Sequence, residues 1–523
     1  MSEDGNPKLE ASQKEEKLGG AVPDVRAADG GSLNGEDILA LQDLDPALNM
    51  KMHLVNNAID EIGWTPYHMK LFFLNGFGYA VDSLILLLQS VIATPAFTEF
   101  GKHGYDKALN ISVYVGMLTG ALFWGVSADI IGRRYAFNIS LLICSLSAII
   151  AGGMPNWPSL GFFIACVGFG GGGNLILDTT VFLEYLPGNK QWALTLMAAW
   201  WGLGQAITGF IAWGFLVPEQ WNCSSVDTCT RDNNMGWRYV MFTAGALVFV
   251  MSILRVTVIR LLETPKYLLC MGEDAKVVET LQFIAAKYNR PCSLTVDKLE
   301  SCGVVTSAHS GKGGFSVGET LIHLRGLFTT RKISISTLMI WLSWTMVGLA
   351  YPLFYVFLPS YLAARGAVLD VSTFISWRDY ALTNVSSIFG PVLAGWMCNL
   401  PILGRRYTML IGALMTAAFF FAYTAVRTEA QQVGFSCAIG FCLNVYYGTL
   451  YAYTPEVLPS AHRATGNGVA VACNRIMGIL SAVIATYSDT STSAPIFICG
   501  ALLVAMGIVA ALFPFEPYGR RSS

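Results

Sequence analysis

The stretch Gly125-Val126-Ser127-Ala128-Asp129-Ile130-Ile131-Gly132-Arg133-Arg134 sets one carboxylate and two guanidiniums between two long apolar runs. Glycines at 125 and 132 permit a tight reversal and close helix approach, and Asp129 can pair with an arginine or face a helix N-terminus. A charged knot of this kind belongs at the cytoplasmic surface of a membrane. It also recurs: Gly404-Arg405-Arg406 stands 272 residues after Gly132-Arg133-Arg134, and Glu456-Val457-Leu458-Pro459 stands 272 residues after Glu184-Tyr185-Leu186-Pro187. Two unrelated features that keep one offset imply a duplicated chain of two homologous halves.

Composition agrees with a membrane setting. Of 523 residues, 54% are hydrophobic and 13% charged, against about 25% charged in an ordinary soluble domain. The chain reads as a polytopic membrane protein whose surroundings are the bilayer. A net charge of −2 gives no reason to expect nucleic acid as a partner. The 12 cysteines lie mostly inside apolar runs without CxxC spacing, so they read as small core residues, and neither a metal nor a cofactor is expected.

Residues 1–68 are expected to form a cytoplasmic tail, largely disordered, with an amphipathic lead-in around Ile59–Pro66 lying along the membrane surface. No cleavable signal peptide is visible. Apolar runs follow at 69–94, 109–129, 134–153, 158–182, 191–217 and 237–262, then at 333–363, 373–398, 406–426, 431–453, 464–487 and 493–513. Each is near the ~20 residues that cross a bilayer as helix. The expected fold is therefore all-α, with twelve transmembrane helices in two pseudo-symmetric six-helix bundles, 69–262 and 333–513. A polar cytoplasmic linker, 263–332, joins them, and a short tail, 514–523, follows.

Lys and Arg set the orientation. With both termini inside, the cytoplasmic connections and tail hold Arg133, Arg134, Lys190, Arg405, Arg406, Arg463, Arg520 and Arg521, while the outer loops hold Lys102, Lys107, Arg231, Arg365 and Arg427. This obeys the positive-inside rule. The outer loop 221–236 then places Cys223 and Cys229 in an oxidising space, where a disulfide and two free thiols compete as readings. Asn222-Cys223-Ser224 in the same loop, and Asn110-Ile111-Ser112 near the membrane, are weak glycosylation sequons.

The run Gly168-Phe169-Gly170-Gly171-Gly172-Gly173 formally satisfies the dinucleotide fingerprint. That fingerprint needs a preceding strand and a soluble βαβ unit, whereas this run sits within an apolar span, where small residues let helices approach. Packing is the expected role. No nucleophile, metal or phosphate-loop constellation survives, so an enzyme is not expected.

The paired Gly-Arg-Arg loops and the duplicated Glu-x-Leu-Pro ends resemble the major facilitator superfamily of transporters. Glu263-Thr264-Pro265-Lys266 after the sixth span resembles the stretch that closes the first half of sugar porters, without their leading proline. Tyr453-Thr454-Pro455-Glu456 and Gly236-Trp237-Arg238 resemble a branch with organic ion transporters, phosphate symporters and synaptic-vesicle-glycoprotein-like proteins. Gly173-Asn174 with Asp178 is similar to uncharacterised fungal members. In such relatives a glutamate followed seven positions later by arginine pairs with the Gly-Arg-Arg arginines. Glu456 and Arg463 keep that spacing, but Gln191 stands where the first half would have its arginine.

The resemblance implies alternating access by rocking of two halves, with a cytoplasmic gate of Asp129, Arg133, Arg134 and Glu184 on one side and Arg405, Arg406, Glu456 and Arg463 on the other. Ionisable residues inside spans are costly and default to functional candidates. Asp82 lies about 18 Å into the first span and Arg475 at a similar depth in the eleventh. Asp82 and Asp178 are the candidates for proton coupling, against a structural ion pair or hydrogen bond. Arg475 is the candidate for an anionic solute, with a permanent pairing to Asp82 as the competing reading. Asn75, Asn174, Gln205, Asn384, Asn444 and Asn474 either line the same cavity or glue helices together. In span seven, Gly348, Pro352 and Pro359 mark a possible gate, and its aromatics are read first as lipid-facing or core.

The function expected is proton-coupled symport of a small polar or anionic solute by a monomer, in the plasma membrane or an endomembrane. A facilitative sugar or polyol carrier and a transporter-like sensor are the alternatives.

Overall fold

The computed structural model describes residues 46–100, 105, 107–131, 133–223, 225–257, 262–305, 321, 324–364, 372–459, 462–487 and 494–518. The chain divides into two units, Met1–Asp37 and Ile38–Ser523, and every described residue belongs to the second. Ten helical segments among these residues are long and apolar enough to cross a membrane, and the shorter apolar helices Asn138–Gly152 and Ile496–Leu512 complete twelve. The first six are α2 (Pro66–Phe100), α3 (Ala108–Ile131), α4 (Arg133–Gly152), α5 (Trp157–Tyr185), α6 with α7 (Trp192–Met197, Ala199–Leu216) and α8 (Gly236–Thr257). The second six are α12 (Arg331–Ala364), α13 with α14 (Thr373–Ser386, Phe389–Cys398), α15 (Gly404–Tyr423), α16 (Glu429–Val457), α17 (Arg463–Tyr487) and α18 (Ala494–Leu512). The break between α13 and α14 precedes Pro391, which has no N–H to return to the carbonyl one turn earlier.

Duplication is visible in the helix ends. Glu184 is the penultimate residue of α5 and Glu456 of α16, and the residues that follow these helices, Leu186 and Leu458, are extended alike (φ −74°, ψ 131° and φ −75°, ψ 141°). Arg133 opens α4 as Gly404-Arg405 opens α15. Gly404 has a φ of +54°, a conformation that glycine adopts without the Cβ penalty other residues meet.

The glycine run packs helices. Gly168 and Gly172 on α5 lie against the carbonyls of Val113 and Met117 on α3, and Gly116 and Gly120 on α3 lie against those of Ala165 and Phe169. A Cβ at any of the four would strike backbone. Two such pairs spaced four residues apart make a reciprocal small-residue seam.

Between Thr257 and Arg331 the described chain forms short helices α9 (Pro265–Cys270), α10 (Asp274–Lys287) and α11 (Val296–Glu300), and α1 (Pro46–Ile62) packs on them. The membrane-surface lead-in expected at 59–66 is thus replaced by a helix that buries Leu48, Met52, Val55, Ile59 and Ile62 in the same core as Leu269, Val277 and Leu281. Their spacing of three and four is that of an amphipathic helix, and what it buries against is protein. Lys51 pairs with Asp274, Asp60 accepts from the Gly188 N–H at 2.8 Å, and Glu61 accepts from the Ser293 N–H at 2.8 Å. These contacts gather on one end of the bundle, termed here the linker face.

At the opposite face Cys223 and Cys229 form a disulfide. Asn222 donates both amide hydrogens to the carbonyls of Phe215 and Pro218 (2.9 and 2.8 Å), so its amide closes the loop and is not presented for modification. Glu99 ends α2 there and takes a two-pronged bond from Arg238 (2.7 and 2.7 Å), with further donors from Trp237 at 3.0 Å and Asn234 at 3.2 Å. The tryptophan and arginine of Gly236-Trp237-Arg238 therefore bind the start of α8 to the end of α2.

Candidate functional site

On α2, Gly78 and Tyr79 lie three and four residues after Asn75 and four and three before Asp82, so the four share one side of that helix. All four are buried. Asp82 meets Arg475 of α17 at 3.2 Å, and its second oxygen accepts from the indole N–H of Trp201 at 3.2 Å. This is an ion pair between the two halves, with both side chains at most 2% exposed. Two charges this far from water persist only when paired and hydrogen-bonded.

Aromatic rings wall the pair. Trp201 lies 4.9 Å from Tyr447 at 38° and 5.6 Å from Tyr451 at 53°. Tyr447 and Tyr451, one helical turn apart on α16, stack at 26°, and Trp344 meets Tyr451 edge-on at 4.5 Å. Trp344 of span seven is fully buried against Tyr451, Thr454 and Asn474 of its own half, as the core reading has it, and Tyr351 faces Gln205 of the first half, while the side chains of Tyr355 and Pro359 lie outside the described residues. Asn474 bonds the Trp344 carbonyl and the Tyr447 hydroxyl, both at 3.3 Å, and accepts from Arg475 at 3.4 Å. Gln205 reaches Tyr351 across the halves at 3.3 Å.

Asp178 belongs to a second pair. Arg255, near the end of α8, donates to Asp178 at 3.1 Å, to Asn174 at 3.0 Å and to the Leu74 carbonyl at 3.3 Å. Gly78 lies directly against the other Asp178 oxygen. Sequence reasoning missed Arg255, because an arginine near the polar end of a span reads as a side chain snorkelling to the surface. The structure does not bring Asn384 and Asn444 to Arg475: each bonds a carbonyl four residues back, at 3.0 and 2.8 Å, and Asn444 wedges against Gly390. Asn75 is fully buried, with no hydrogen-bond partner for either amide atom among the described residues.

The linker face holds the charged cluster. Arg405 makes a two-pronged bond to Glu456 (3.0 and 2.7 Å). Glu516, beyond α18, accepts the backbone N–H groups of Arg405 and Arg406 (2.9 and 3.1 Å), capping α15 with a carboxylate where the helix dipole favours one. Arg406 bonds the Ala511 carbonyl. Glu516 was also missed, although Phe515-Glu516-Pro517 after the twelfth helix parallels Leu262-Glu263-Thr264-Pro265 after the sixth. Arg463 reaches across to Glu184 at 3.7 Å, so these two join the halves directly. Asn467 donates to Thr179 at 3.2 Å beside them. The side chains of Asp129, Arg133 and Arg134 lie outside the described residues.

A cross-half pair on the linker face is where opening toward that face must break contacts. Glu184→Gln removes one charge and leaves Arg463 with less compensation, so the closed arrangement should lose ~1–3 kcal/mol relative to the open one. The expected outcome is faster thiol labelling of Thr179→Cys in a cysteine-depleted background, without loss of folded protein.

Two helical bundles joined by paired, buried charges at their interface, with a glycine seam inside the first, define a secondary carrier of the two-bundle class. The Major Facilitator Superfamily profile matches residues 71–482, and the chain belongs to that family. It is 39% identical to "MFS siderochrome iron transporter 1" of Ceriporiopsis subvermispora, over 92% of this chain and 93% of that relative. It is 27% identical to "Niacin transporter NiaP" of Acinetobacter baylyi, over 83% and 90%. Synaptic vesicle 2-related proteins match as well, in line with the branch that the Gly-Trp-Arg and Thr-Pro-Glu motifs resemble. Among solved structures the proton:xylose symporter XylE, bound to 6-bromo-6-deoxy-D-glucose, superposes with a TM-score of 0.66 at 16% identity, covering 87% of this chain and 98% of that one. The fold is therefore that of a transporter family and not of an enzyme.

Proposed function

We propose that this chain couples protons to the movement of a small organic anion that carries a flat ring, a carboxylate above all. The observation that supports it is the Arg475–Asp82 pair set between the halves against Trp201, Tyr447 and Tyr451. A guanidinium presents a planar fork suited to carboxylate, and aromatic faces take a ring by offset or edge-on stacking. When a solute carboxylate takes Arg475, Asp82, itself fully buried, loses its counter-charge. An unpaired buried carboxylate is neutralised by a proton, so one anion and one proton enter together. The charge count at Arg475 is the same before and after. A relative named for niacin, a ring carboxylate, lends this reading weight over a neutral sugar.

On this reading both termini and the 263–332 connection are cytoplasmic, the solute site lies between bundles 69–262 and 333–513, and the carrier acts as a monomer in the plasma membrane.

The test is uptake of labelled niacin, benzoate, glucose and phosphate in a transport-deficient host, with and without a proton uncoupler. Ring carboxylates should accumulate and the uncoupler should abolish accumulation. Asp82→Asn should lose uphill uptake while retaining exchange. Transport of neutral sugars alone, or full uphill uptake by Asp82→Asn, would overturn the proposal.

A further inference from the structure

Two buried ion pairs bear on α2, and they differ in which half supplies the arginine. Asp82 meets Arg475 of the second half. Asp178 meets Arg255 of its own half, both side chains at most 1% exposed. Arg255 does more than neutralise a carboxylate. Its Nη2 donates to Asp178 Oδ1 of α5 at 3.1 Å and to the Leu74 carbonyl of α2 at 3.3 Å, and its Nη1 donates to Asn174 Oδ1 of α5 at 3.0 Å. One guanidinium on α8 thus ties two other helices together, through a planar fork that holds its two nitrogens in fixed relation. Gly78, one turn beyond Leu74, leaves the room for it: a Cβ there would strike Asp178 and approach Arg255 Nη2 to 2.8 Å. Leu74 lies eight residues before Asp82, or about 12 Å of helix. The tie therefore falls on the helix that carries Asp82 and stands clear of the pair that Asp82 makes.

We infer that Arg255 is a positioning residue for the exchange of partners at Arg475; the inference rests on the exchange proposed above. A solute carboxylate and Asp82 compete for one guanidinium. When the solute takes Arg475, Asp82 has to stay behind, because a carboxylate free to follow would take the fork back. A helix tied at Leu74 from within its own half does not follow a residue of the other half. All three tied helices, α2, α5 and α8, belong to the first bundle, so rocking of the halves leaves the tie intact. On its other side α2 is held by α7, where Ser83 donates to the Trp201 carbonyl at 2.7 Å. Trp201 is part of the wall that an entering ring meets, so that contact adjusts to the solute, and the one through Arg255 does not.

The same geometry gives Asp178 its part. Its charge is matched inside the first bundle wherever the second bundle stands, so it is the fixed counter-ion of the clamp, and Asp82 alone changes partners. Lysine at position 255 keeps the positive charge but ends one bond short, where the arginine has Cζ, and Asp178 draws it away from the Leu74 carbonyl. Asn174→Ala is milder: both charges and the Leu74 bond remain, and only the acceptor that orients Nη1 is lost.

Counterflow exchange of labelled niacin and benzoate in proteoliposomes gives KM and maximal rate for wild type, Arg255→Lys, Asp82→Asn and the double variant, beside thermal unfolding of each in detergent. Arg255→Lys should raise KM about 10-fold, the effect of one charge-assisted hydrogen bond on an equilibrium, at a maximal rate near wild type. Asp82→Asn has no carboxylate left to compete for Arg475, so adding Arg255→Lys to it should leave its KM unchanged. A brace with no bearing on the exchange would not show that non-additivity. Should Arg255→Lys fail to fold, Asn174→Ala carries the same comparison, with a rise in KM of about 3-fold. An unchanged KM in the folded variant overturns the positioning role. So does a rise of equal size in the Asp82→Asn background, because the residue then acts on solute or fold without regard to Asp82. A wild type that exchanges neither anion, or an Asp82→Asn protein that exchanges none, overturns instead the functional reading on which the inference depends.

Discussion

Gly78→Ala is expected to destroy the folded transporter, and Gly214→Ala to leave it intact or improve it. A Cβ on Gly78 would overlap the Asp178 carboxylate and approach Arg255 Nη2 to 2.8 Å. Neither neighbour can give way: Asp178 is a short side chain tied to Arg255, and Arg255 is itself held by Asn174 and the Leu74 carbonyl. The methyl must either part α2 from α5 or break the pair. Breaking a buried pair costs ~3–5 kcal/mol because a charge is left uncompensated, a large part of the ~5–15 kcal/mol that typically holds a fold. Gly214, also helical, has nothing within 4 Å of the added carbon, and alanine there gains roughly 0.5–1 kcal/mol of helix stability over glycine. Thermal unfolding in detergent, followed by fluorescence-detected size exclusion, checks both variants. A Gly78→Ala protein that melts with wild type would show that α2 and α5 have slack that the close approach denies.

The frame of the molecule is legible in the chain because each part of the signal is local or periodic. Apolar runs of about twenty residues, the 272-residue offset and the Gly-Arg-Arg turns each follow from one stretch of sequence, and they yielded twelve segments in two halves. The candidate site is legible only by residue type. Asp82 and Arg475 were singled out because charge inside a span is costly, but no sequence period says that residues 393 apart meet. Arg255 and Glu516 were passed over for a related reason: both stand near helix ends, where a charge has an inexpensive explanation in the interface. Asn384 and Asn444 went the other way, since an asparagine that bonds its own helix looks in sequence like one that lines a cavity. Arg463 shows the limit of analogy within the chain. Its seven-residue spacing from Glu456 pointed to a partner in its own half, yet its ion pair is with Glu184, in the half where Gln191 takes the place of the matching arginine.

Arg475→Lys should reduce carboxylate uptake by about 10- to 100-fold, the effect of losing ~1.5–3 kcal/mol from one charge-assisted hydrogen bond at the binding step. The two candidate roles of Arg475 respond differently to this substitution. A purely structural partner of Asp82 needs a positive charge at the right depth. Lysine supplies one, and a single oxygen, Asp82 Oδ1, receives the guanidinium at 3.2 Å in the closed arrangement, so a point charge suffices there. A solute carboxylate arriving at the same place gains from two parallel N–H donors, and orientation against Trp201 and Tyr447 depends on that fork being planar. Stability and transport should therefore separate: thermal unfolding of the lysine variant stays near wild type while uptake of niacin and benzoate falls. Arg475→Ala provides the contrast, because it leaves Asp82 buried without any counter-charge and should lower both together. If the lysine variant transports as wild type does, the fork is not what the solute binds, and Arg475 serves as a structural counter-ion to Asp82. If lysine instead unfolds the protein as alanine does, the pair is held by the geometry of the guanidinium and the exchange of partners proposed for the cycle fails with it.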